Sequence, residues 1–222
     1  LASAEAVLTE EERELGAALL DLGGGTSDLA IFSRNNIKHT FVLALGGNNL
    51  TNDIAIGLRA PLSESEKIKK KYGCCVAQNI NNEETIEVPG MGGRAPQKLS
   101  RQILGEILEP RMEEIFTLIK REIYRAEMEN AISSGLVLTG GSALLEGATE
   151  IAESFFSLPT RLGRPRGITG LVDVVNNPMY ATGVGLVLFG AKDKSAKKFR
   201  IRDVNIFNRV MAQMKKWFHD VI

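Results

Sequence analysis

Apolar and polar positions in the first 45 residues follow the pattern of a β-meander. A continuous apolar run covers residues 15–20, and an alternating run covers residues 29–32. A longer stretch of mixed polar and apolar residues, 37–45, is the third predicted strand. A polar stretch rich in Asn links the second and third runs, and such residues tolerate turn geometry. The pattern predicts three strands, preceded by a charged helix end or loop at residues 10–14.

Two helices are predicted after the meander. A Gly-Gly pair breaks the third strand, and Asn48 or Asn49 is placed to cap a helix whose apolar positions repeat at helical spacing. Pro61 ends this helix. Ser63 and Glu66 have the spacing of a capping box, which predicts that a second, strongly charged helix starts there.

The second half of the chain combines a long helical pattern with short strands. Residues 100–129 repeat apolar positions at helical spacing, and Pro110 is expected to kink that helix or to start a new segment. Short strands are predicted over residues 85–88, 135–138 and 160–162.

Two further helices are expected in this half. Ser142 is placed to cap one that runs towards Phe156 with a break near Gly147. Asn177 and Pro178 begin another, which is rich in small residues. Small side chains allow a second helix to approach closely.

The C-terminal end differs in character from the rest. Residues 191–205 carry several basic and few apolar side chains, which predicts a flexible linker. In residues 206–222 apolar positions repeat at helical spacing beside basic ones, which is typical of an amphipathic helix in a membrane interface. A terminal helix docked on the protein core is the alternative. The side chains expected at the membrane are Phe207, Met211, Met214, Trp217 and Phe218, with Lys215 and Lys216.

Composition narrows the classes of function. The chain has 222 residues and a formal net charge of zero, so its overall charge gives no case for nucleic-acid binding. No apolar run is long enough to cross a bilayer, and no secretory signal opens the chain. Cys74 and Cys75 are adjacent, and we expect them to be reduced thiols of a cytosolic protein. No role is assigned to His39.

The stretch from Asp21 to Asp28 carries the candidate chemistry. Three consecutive glycines form a turn between two predicted strands, where backbone N–H groups can approach an anion. Asp21 ends a buried strand and can hold a hydrated Mg²⁺ ion beside phosphate oxygens. A glycine-rich hairpin that binds nothing is the alternative. The candidate phosphate-binding residues are Gly23, Gly24, Gly25 and Thr26.

Two common nucleotide motifs do not describe this turn. It is not the Gly-x-x-x-x-Gly-Lys-Ser/Thr loop, because no Lys follows the glycines. It is not a dinucleotide-binding fingerprint either, because a predicted strand rather than a helix comes next.

The motif Asp-Leu-Gly-Gly-Gly-Thr-x-Asp resembles the second phosphate loop of the actin-like ATPase superfamily. Residues 138–142, which read Leu-Thr-Gly-Gly-Ser, resemble the adenosine loop of the same superfamily. Three further stretches, residues 46–55, residues 109–111 and the run from Ile206, narrow the resemblance to the FtsA family of bacterial cell-division proteins. The likeness covers nearly the whole chain and corresponds to the C-terminal half of a member.

This resemblance implies an α/β fold. We expect an actin-like (RNase H-like) ATPase subdomain with a mixed five-stranded sheet, a smaller inserted α/β subdomain and a C-terminal amphipathic helix. Large subdomain IIA would comprise residues 1–48 and 135–190, and small subdomain IIB residues 49–134. The linker would comprise residues 191–205 and the membrane-targeting helix residues 206–222.

The resemblance also implies a site for ATP and Mg²⁺. Nothing before Leu15 supplies the first phosphate loop of the superfamily, so we expect a fragment with half of the nucleotide cleft, weak nucleotide binding by this chain alone, and slow ATP hydrolysis at most. Gly183 is the expected hinge glycine of a helix that crosses between the two halves. The adenosine-binding residues carried over are Gly140, Gly141, Ser142, Glu66 and Lys69.

The implied partners are those of a cell-division adaptor. Arg111, in a Glu-Pro-Arg stretch, is the expected contact for the acidic C-terminal tail of the tubulin-like protein FtsZ, and Arg101 is a weaker candidate. An exposed arginine that pairs with Glu113 or Glu114 is the alternative for Arg111. The family also implies self-association into actin-like filaments, recruitment of other division proteins, and a peripheral location at the septum, on the cytoplasmic side of the inner membrane.

Two alternative functions stay open at this point. One is a sugar or acetate kinase of the same superfamily, which would need a general base that this chain does not display. The other is the pilus-assembly relative PilM, which is expected to lack the terminal amphipathic helix. That helix favours the adaptor over both.

Overall fold

A mixed β-sheet organises the structure, a computed structural model that describes residues 1–90, 92–169 and 172–192. The first three strands form the predicted meander, and the sheet is completed by two strands from the second half of the chain. The strands of the described residues are β1 (Ala17–Leu22), β2 (Ser27–Ser33), β3 (Asn36–Leu43), β4 (Thr85–Val88), β5 (Gln97–Ser100), β6 (Leu136–Thr139) and β7 (Thr160–Leu162).

Helices precede, interrupt and follow these strands. Three of them, with the β4–β5 pair, fill the long interval between β3 and β6. The α-helices of the described residues are α1 (Ala2–Val7), α2 (Glu10–Leu15), α3 (Gly47–Leu58), α4 (Leu62–Tyr72), α5 (Arg101–Arg125), α6 (Ala148–Phe156), α7 (Val172–Val175) and α8 (Ala181–Lys192).

The five-stranded sheet has the order β3-β2-β1-β6-β7, which confirms the predicted mixed sheet. β1 pairs antiparallel with β2, with Asp21 opposite Asp28, and parallel with β6, with Asp21 opposite Thr139. The carboxyl end of β1 therefore lies beside the carboxyl end of β6. This places the loops that follow the two strands at the same edge of the sheet.

β1 is central because its side chains are apolar on both faces. Leu20 and Leu22 belong to a core that includes residues of α3, α5 and α6. Leu19 points the other way, into a second cluster formed with α1, α8 and neighbouring strands. Alternate strand residues point to opposite faces, so one strand anchors both hydrophobic layers.

The first strand begins two residues later than predicted. Leu15 ends α2 and is 66% exposed, although it is apolar. Gly16, at a φ of 111°, then turns the chain into β1. An apolar run alone could not separate the last helical residue from the first strand residue.

Two predicted helix caps were wrong. α3 begins at Gly47, so Asn49 is its third residue, and the Asn49 side chain accepts a hydrogen bond from the Gly46 N–H. α4 begins at Leu62 and has no side-chain cap. The Glu66 carboxylate pairs with Lys69 instead. In both cases a residue suited to capping is present, but the helix begins before that residue.

The long helix α5 passes through Pro110 without ending. Proline inside a helix costs about 3 kcal/mol because it removes a donor and crowds the preceding turn. The apolar face of α5, including Leu108 and Met112 on either side of the proline, is fully buried. Burial of this face explains why no new segment starts at Pro110. Strand β5, which pairs with β4, was not predicted.

Several predictions concern residues beyond α8. Helix α8 extends to Lys192, so the first two residues of the predicted linker are helical. The remainder of the linker and the predicted membrane helix, residues 193–222, lie outside the described residues. Of the helices that are described, none is both long and apolar enough to span a bilayer. Cys74 and Cys75 are free and buried, and burial raises the pKa of both thiols.

Candidate functional site

The turn between β1 and β2 has the geometry of an anion-binding loop. The Gly23 N–H donates to the Thr26 carbonyl at 2.9 Å and closes the turn. Within the described part of the chain, the next three N–H groups, those of Gly24, Gly25 and Thr26, have no hydrogen-bond partner, and the three residues are exposed. Three consecutive unpaired N–H groups suit the oxygens of a phosphate.

The fold itself does not require glycine at two of these positions. Neither Gly24 nor Gly25 has a positive φ. A Cβ added at Gly25 would meet none of the described atoms within 4 Å, and one at Gly24 would lie 3.7 Å from Asn48 Oδ1, an ordinary contact. The missing Cβ atoms therefore leave space in front of the loop, where an anion would lie.

Helix α3 fixes the loop from behind. Its Gly47 N–H donates to the Gly23 carbonyl at 2.9 Å, and its Asn48 N–H donates to the Gly24 carbonyl at 2.7 Å. These are the first N–H groups of the helix, which have no partner inside it. The loop carbonyls point towards α3, which leaves the loop N–H groups free.

The two glycines of the predicted adenosine loop differ in role. Gly140 has a φ of +88°, and a Cβ there would lie 2.5 Å from the Leu22 carbonyl oxygen, so the fold requires glycine. A Cβ at Gly141 would meet none of the described atoms within 4 Å. Gly140 joins β6 to the end of β1, whereas Gly141 is exposed.

Ser142 does not cap a helix, contrary to the prediction. It starts a single 3₁₀ turn, and α6 begins only after Gly147. The Ser142 hydroxyl instead donates to the Gly23 carbonyl at 3.4 Å. This contact joins the adenosine loop to the phosphate loop.

Glu66 and Lys69 form an ion pair of 2.7 Å on one face of α4. The Lys69 side chain is only 8% exposed, and its ammonium donates to the Gly47 carbonyl and to the Thr51 hydroxyl, both at 2.7 Å. Thr51 in turn hydrogen-bonds to Glu66. Burial disfavours the charged form of Glu66, but hydrogen bonds from Lys69 and Thr51 outweigh burial and lower its pKa.

Thr51 is a site residue that the sequence analysis missed. It lies inside the stretch of residues 46–55 that carried the family resemblance, but its hydroxyl was assigned no role. In the structure it is buried and connects α3 to the Glu66–Lys69 pair. The Lys69 ammonium therefore holds both α3 and Glu66 in place. Of the two side chains in this ion pair, Glu66 is the more exposed.

These elements enclose a cleft of about 310 Å³. Five residues predicted from the sequence line it, contributed by the phosphate loop, α4 and the adenosine loop. One end is polar, near Gly24, and the other is more apolar, near Leu145. The lining residues are Gly24, Gly47, Asn48, Glu66, Lys69, Lys70, Gly73, Gly141, Ser142, Leu144, Leu145 and Met179.

Asp21 lies at the end of β1, next to the phosphate loop. Its Oδ2 accepts a hydrogen bond from the Thr182 hydroxyl at 2.9 Å, and its Oδ1 faces Gly140. The Thr26 hydroxyl donates to Asp28. The described residues contain no cluster of three acidic, His or Cys side chains that could hold a metal. A magnesium ion here would need phosphate oxygens and water beside the Asp21 carboxylate, which is the ligand set that Mg²⁺ accepts.

Arg111 and Arg101 do not line the cleft. Arg111 forms a two-pronged ion pair with Asp53, with distances of 2.6 and 3.0 Å, and a further pair with Glu114. Its side chain is 28% exposed. Arg101 is 13% exposed and donates to Glu84, Glu146 and the Tyr72 carbonyl. The pairing of Arg111 with Glu114 was one of the alternatives left open by the sequence.

The small-residue helix α8 makes its close approach at Gly185 rather than at Gly183. A Cβ at Gly185 would lie 1.7 Å from the Ala2 carbonyl oxygen, whereas one at Gly183 would meet none of the described atoms within 4 Å. The expectation that small residues permit close packing of α8 is confirmed. The hinge role of Gly183 stays a prediction.

Comparison with known proteins identifies relatives of the chain. A family model described as "Cell division protein FtsA" matches residues 18–185. Cell division protein FtsA of Pseudomonas aeruginosa is 51% identical over 195 residues, which are 88% of this chain and 47% of that protein. The protein of the same name from Escherichia coli K12 is 38% identical over 224 residues, 98% of this chain and 52% of that protein. The chain thus spans about half the length of these curated relatives.

Solved structures share the fold at lower identity. MreB5 of Spiroplasma citri bound to ADP superposes with a TM-score of 0.66 at 22% identity and covers 89% of this chain and 60% of that one. A PilM–PilN type IV pilus biogenesis complex superposes with a TM-score of 0.62 at 16% identity, covering 86% and 51%. These likenesses confirm the predicted actin-like fold.

Proposed function

Because this chain belongs to the FtsA family of bacterial cell-division proteins, we propose that it is part of an ATP-binding adaptor that tethers FtsZ filaments to the inner membrane. The adaptor helps to recruit other division proteins to the septal ring and associates with itself into actin-like filaments. It acts as a peripheral protein on the cytoplasmic side of the membrane. ATP hydrolysis is slow at most.

The observation that carries this proposal is the cleft of about 310 Å³, in which Gly24, Glu66, Lys69, Gly141 and Ser142 come together. Its unpaired loop N–H groups suit the phosphates, and its more apolar end suits a flat base. ATP has both parts, and it is the nucleotide that the family resemblance implies. When bound, Mg²⁺ would neutralise phosphate charge next to the Asp21 carboxylate.

Arg111 is the basis of the proposed FtsZ contact. Its guanidinium can grip a carboxylate with two parallel hydrogen bonds, as it already does with Asp53. The acidic tail of FtsZ would offer such carboxylates. Arg101 stays the weaker candidate because its side chain is only 13% exposed, against 28% for Arg111.

The membrane contact is assigned to residues 206–222 from their sequence. Their apolar and basic side chains, including Trp217, Phe218, Lys215 and Lys216, suit the interface of an anionic bilayer. The kinase and PilM-type alternatives are not favoured, because the family match and the curated relatives are those of FtsA.

A co-sedimentation experiment tests the adaptor directly. The full-length protein, with ATP and Mg²⁺, is mixed with FtsZ filaments and vesicles that contain anionic lipid. We expect FtsZ to pellet with the vesicles only when the adaptor is present. Truncation after Asn205 should abolish vesicle binding of the adaptor, since it removes the amphipathic helix. Trp217 emission should shift to the blue on binding.

Arg111→Ala provides the matched variant for the second contact. It should still pellet with vesicles but should no longer bring FtsZ with it. If the truncated and intact proteins pellet equally, the membrane assignment is wrong. If Arg111→Ala carries FtsZ as well as the unmodified protein does, the tail contact lies elsewhere.

A further inference from the structure

Arg101 joins two walls of the nucleotide cleft from outside it. It is the first residue of α5, and its side chain is 13% exposed. Its Nε donates to the Tyr72 carbonyl at 2.9 Å, and its Nη2 donates to the Glu146 carboxylate. Nη1 binds Glu84 at 2.7 Å. Arg101 itself is not among the residues that line the cleft.

Each of the first two partners is next to a cleft residue. Tyr72 ends α4 and precedes Gly73, which lines the cleft. Glu146 follows Leu145, which also lines the cleft. The Arg101 guanidinium therefore binds the Tyr72 carbonyl beside one wall and the Glu146 carboxylate beside the other.

The two walls meet at the apolar end of the cleft. A Cβ at Gly73 would lie 2.7 Å from Leu145 Cδ2, so the walls touch there. The Cys75 N–H donates to the Glu146 carbonyl at 2.8 Å, which continues the contact along the chain. Leu144 and Leu145 give this end apolar side chains that suit the face of a purine ring.

The Tyr72 carbonyl belongs to the last turn of α4, whose carbonyls have no partner within the helix. A cation at this position is favoured by the helix dipole as well as by the hydrogen bond. Arginine suits both partners at once, because its fixed planar fork presents donors in several directions. A lysine would offer a single charged point.

We propose that Arg101 is a positioning residue for the nucleobase end of the cleft. It sets the spacing between Gly73 and Leu145 without touching the nucleotide. This inference rests on the proposed nucleotide site. It assigns Arg101 a role distinct from that of Arg111, although both arginines lie on α5 and both are paired with carboxylates.

The test measures binding of a ligand that has a base, ADP, separately from binding of a ligand that has only phosphates, pyrophosphate. A fluorescent ATP analogue bound to the full-length protein is displaced by ADP and, in a separate titration, by inorganic pyrophosphate. For Arg101→Met we expect roughly tenfold weaker binding of ADP, the effect of losing about one charge-assisted hydrogen bond, with pyrophosphate binding unchanged. Arg101→Lys should give an intermediate loss for ADP.

Two control variants and one further test variant accompany this experiment. Arg125→Met removes another arginine of α5 that pairs with a carboxylate, away from the cleft, and should change neither titration. Glu146→Gln weakens the link between the walls and should reduce ADP binding, whereas Glu84→Gln, which weakens the link to a residue outside the cleft, should not. Glu84 and Glu146 are exposed to similar extents, 45% and 55%. The Glu146 variant leaves the inference testable if Arg101→Met does not fold.

Equal ADP affinity in Arg101→Met and the unmodified protein would overturn the inference and leave the nucleotide site intact. A parallel loss of ADP and pyrophosphate would also overturn it, since that result indicates a general structural role. If the unmodified protein binds neither ligand, the nucleotide site itself is wrong, and the inference falls with it.

Discussion

At the scale of single residues, the glycines of the two loops that follow β1 and β6 separate into two kinds. Gly140 is required by the backbone, which has a positive φ and passes within 2.5 Å of the position of a Cβ. Gly25 and Gly141 face open space among the described residues. The sequence motif shows glycine at every one of these positions and cannot tell the two reasons apart.

Alanine substitutions distinguish these reasons. Gly140→Ala should lower the free energy of unfolding by roughly 2 kcal/mol or more, because alanine strains a positive φ and meets the Leu22 carbonyl. Gly25→Ala should change it by less than about 0.5 kcal/mol. Yet Gly25→Ala should weaken ATP binding of the full-length protein by roughly tenfold. Urea unfolding and a nucleotide titration measure the two effects.

The opposite pattern would contradict this interpretation. If Gly25→Ala destabilises the fold as strongly as Gly140→Ala does, the loop glycines are structural. If Gly25→Ala leaves both stability and ATP affinity unchanged, the loop is a plain hairpin.

Hydroxyl-bearing residues near motifs were harder to interpret from the sequence. Ser142 and Thr51 form contacts between elements that are far apart in the chain, to Gly23 and to Glu66 respectively. No local pattern encodes such contacts. Paired glycines and charged residues at helical spacing were informative because their geometry is local, as with Glu66 and Lys69.

At the scale of helices and strands, capping motifs depend on where the helix begins. Ser100 caps α5, since its hydroxyl accepts a hydrogen bond from the Gln102 N–H at 3.2 Å. Ser63 was the predicted cap of α4 but is the second residue of that helix, which Pro61 precedes. A serine hydroxyl therefore caps the helix at the start of α5 but not within the first turn of α4.

These two serines give a matched pair of substitutions. Ser100→Ala should cost about 1 kcal/mol of unfolding free energy, the usual effect of losing a helix cap. Ser63→Ala should cost less than about 0.5 kcal/mol, because an exposed residue within a helix tolerates alanine. Chemical denaturation measures both. If Ser100→Ala costs as little as Ser63→Ala, the Ser100 hydrogen bond does not contribute to stability.

The order of the strands was predicted less fully than their existence. Alternation and apolar runs located the meander, β6 and β7, because each pattern reflects local burial. The short strand β5 lies in a polar stretch rich in Gly and Pro, and its pairing with β4 fixes it. The continuity of α5 through Pro110 likewise depends on packing against distant residues, which the sequence pattern does not contain.

At the scale of the whole molecule, ion pairs connect elements that are distant in sequence. The Arg125 guanidinium holds the pKa of Glu122 below its ordinary value, against a smaller effect of burial and with further help from His39. This cluster joins α5 to β3. For Glu12, burial opposes ionisation, but Arg161 on β7 and Thr9 outweigh it and lower the pKa.

Stability should therefore fall in acid. A carboxyl group whose folded pKa is below 4.5 stabilises the fold above pH 4.5, and this contribution is lost as the pH falls through the folded value. We expect the melting temperature to drop below about pH 4.5. Glu122→Gln should melt a few degrees lower at pH 7 and lose less on acidification.

Thermal melts between pH 3 and pH 7 check this expectation, with the exposed Glu113→Gln as control. The control should follow the unmodified protein at every pH. An identical acid limb in Glu122→Gln would show that the cluster with His39 and Arg125 does not contribute to acid sensitivity.

The parallel pairing of β1 with β6 has a consequence for synthesis of the chain. The meander leaves the ribosome before β6, because the strand that covers the other edge of β1 ends only at Thr139. At bacterial rates of translation this leaves that edge without its partner for roughly ten seconds. During that interval an apolar strand edge is open to wrong pairing. The turn between β1 and β2 exists from the beginning of this interval, whereas the turn after β6 arrives only at its end, so the cleft that the two turns line is among the last features of the fold to assemble.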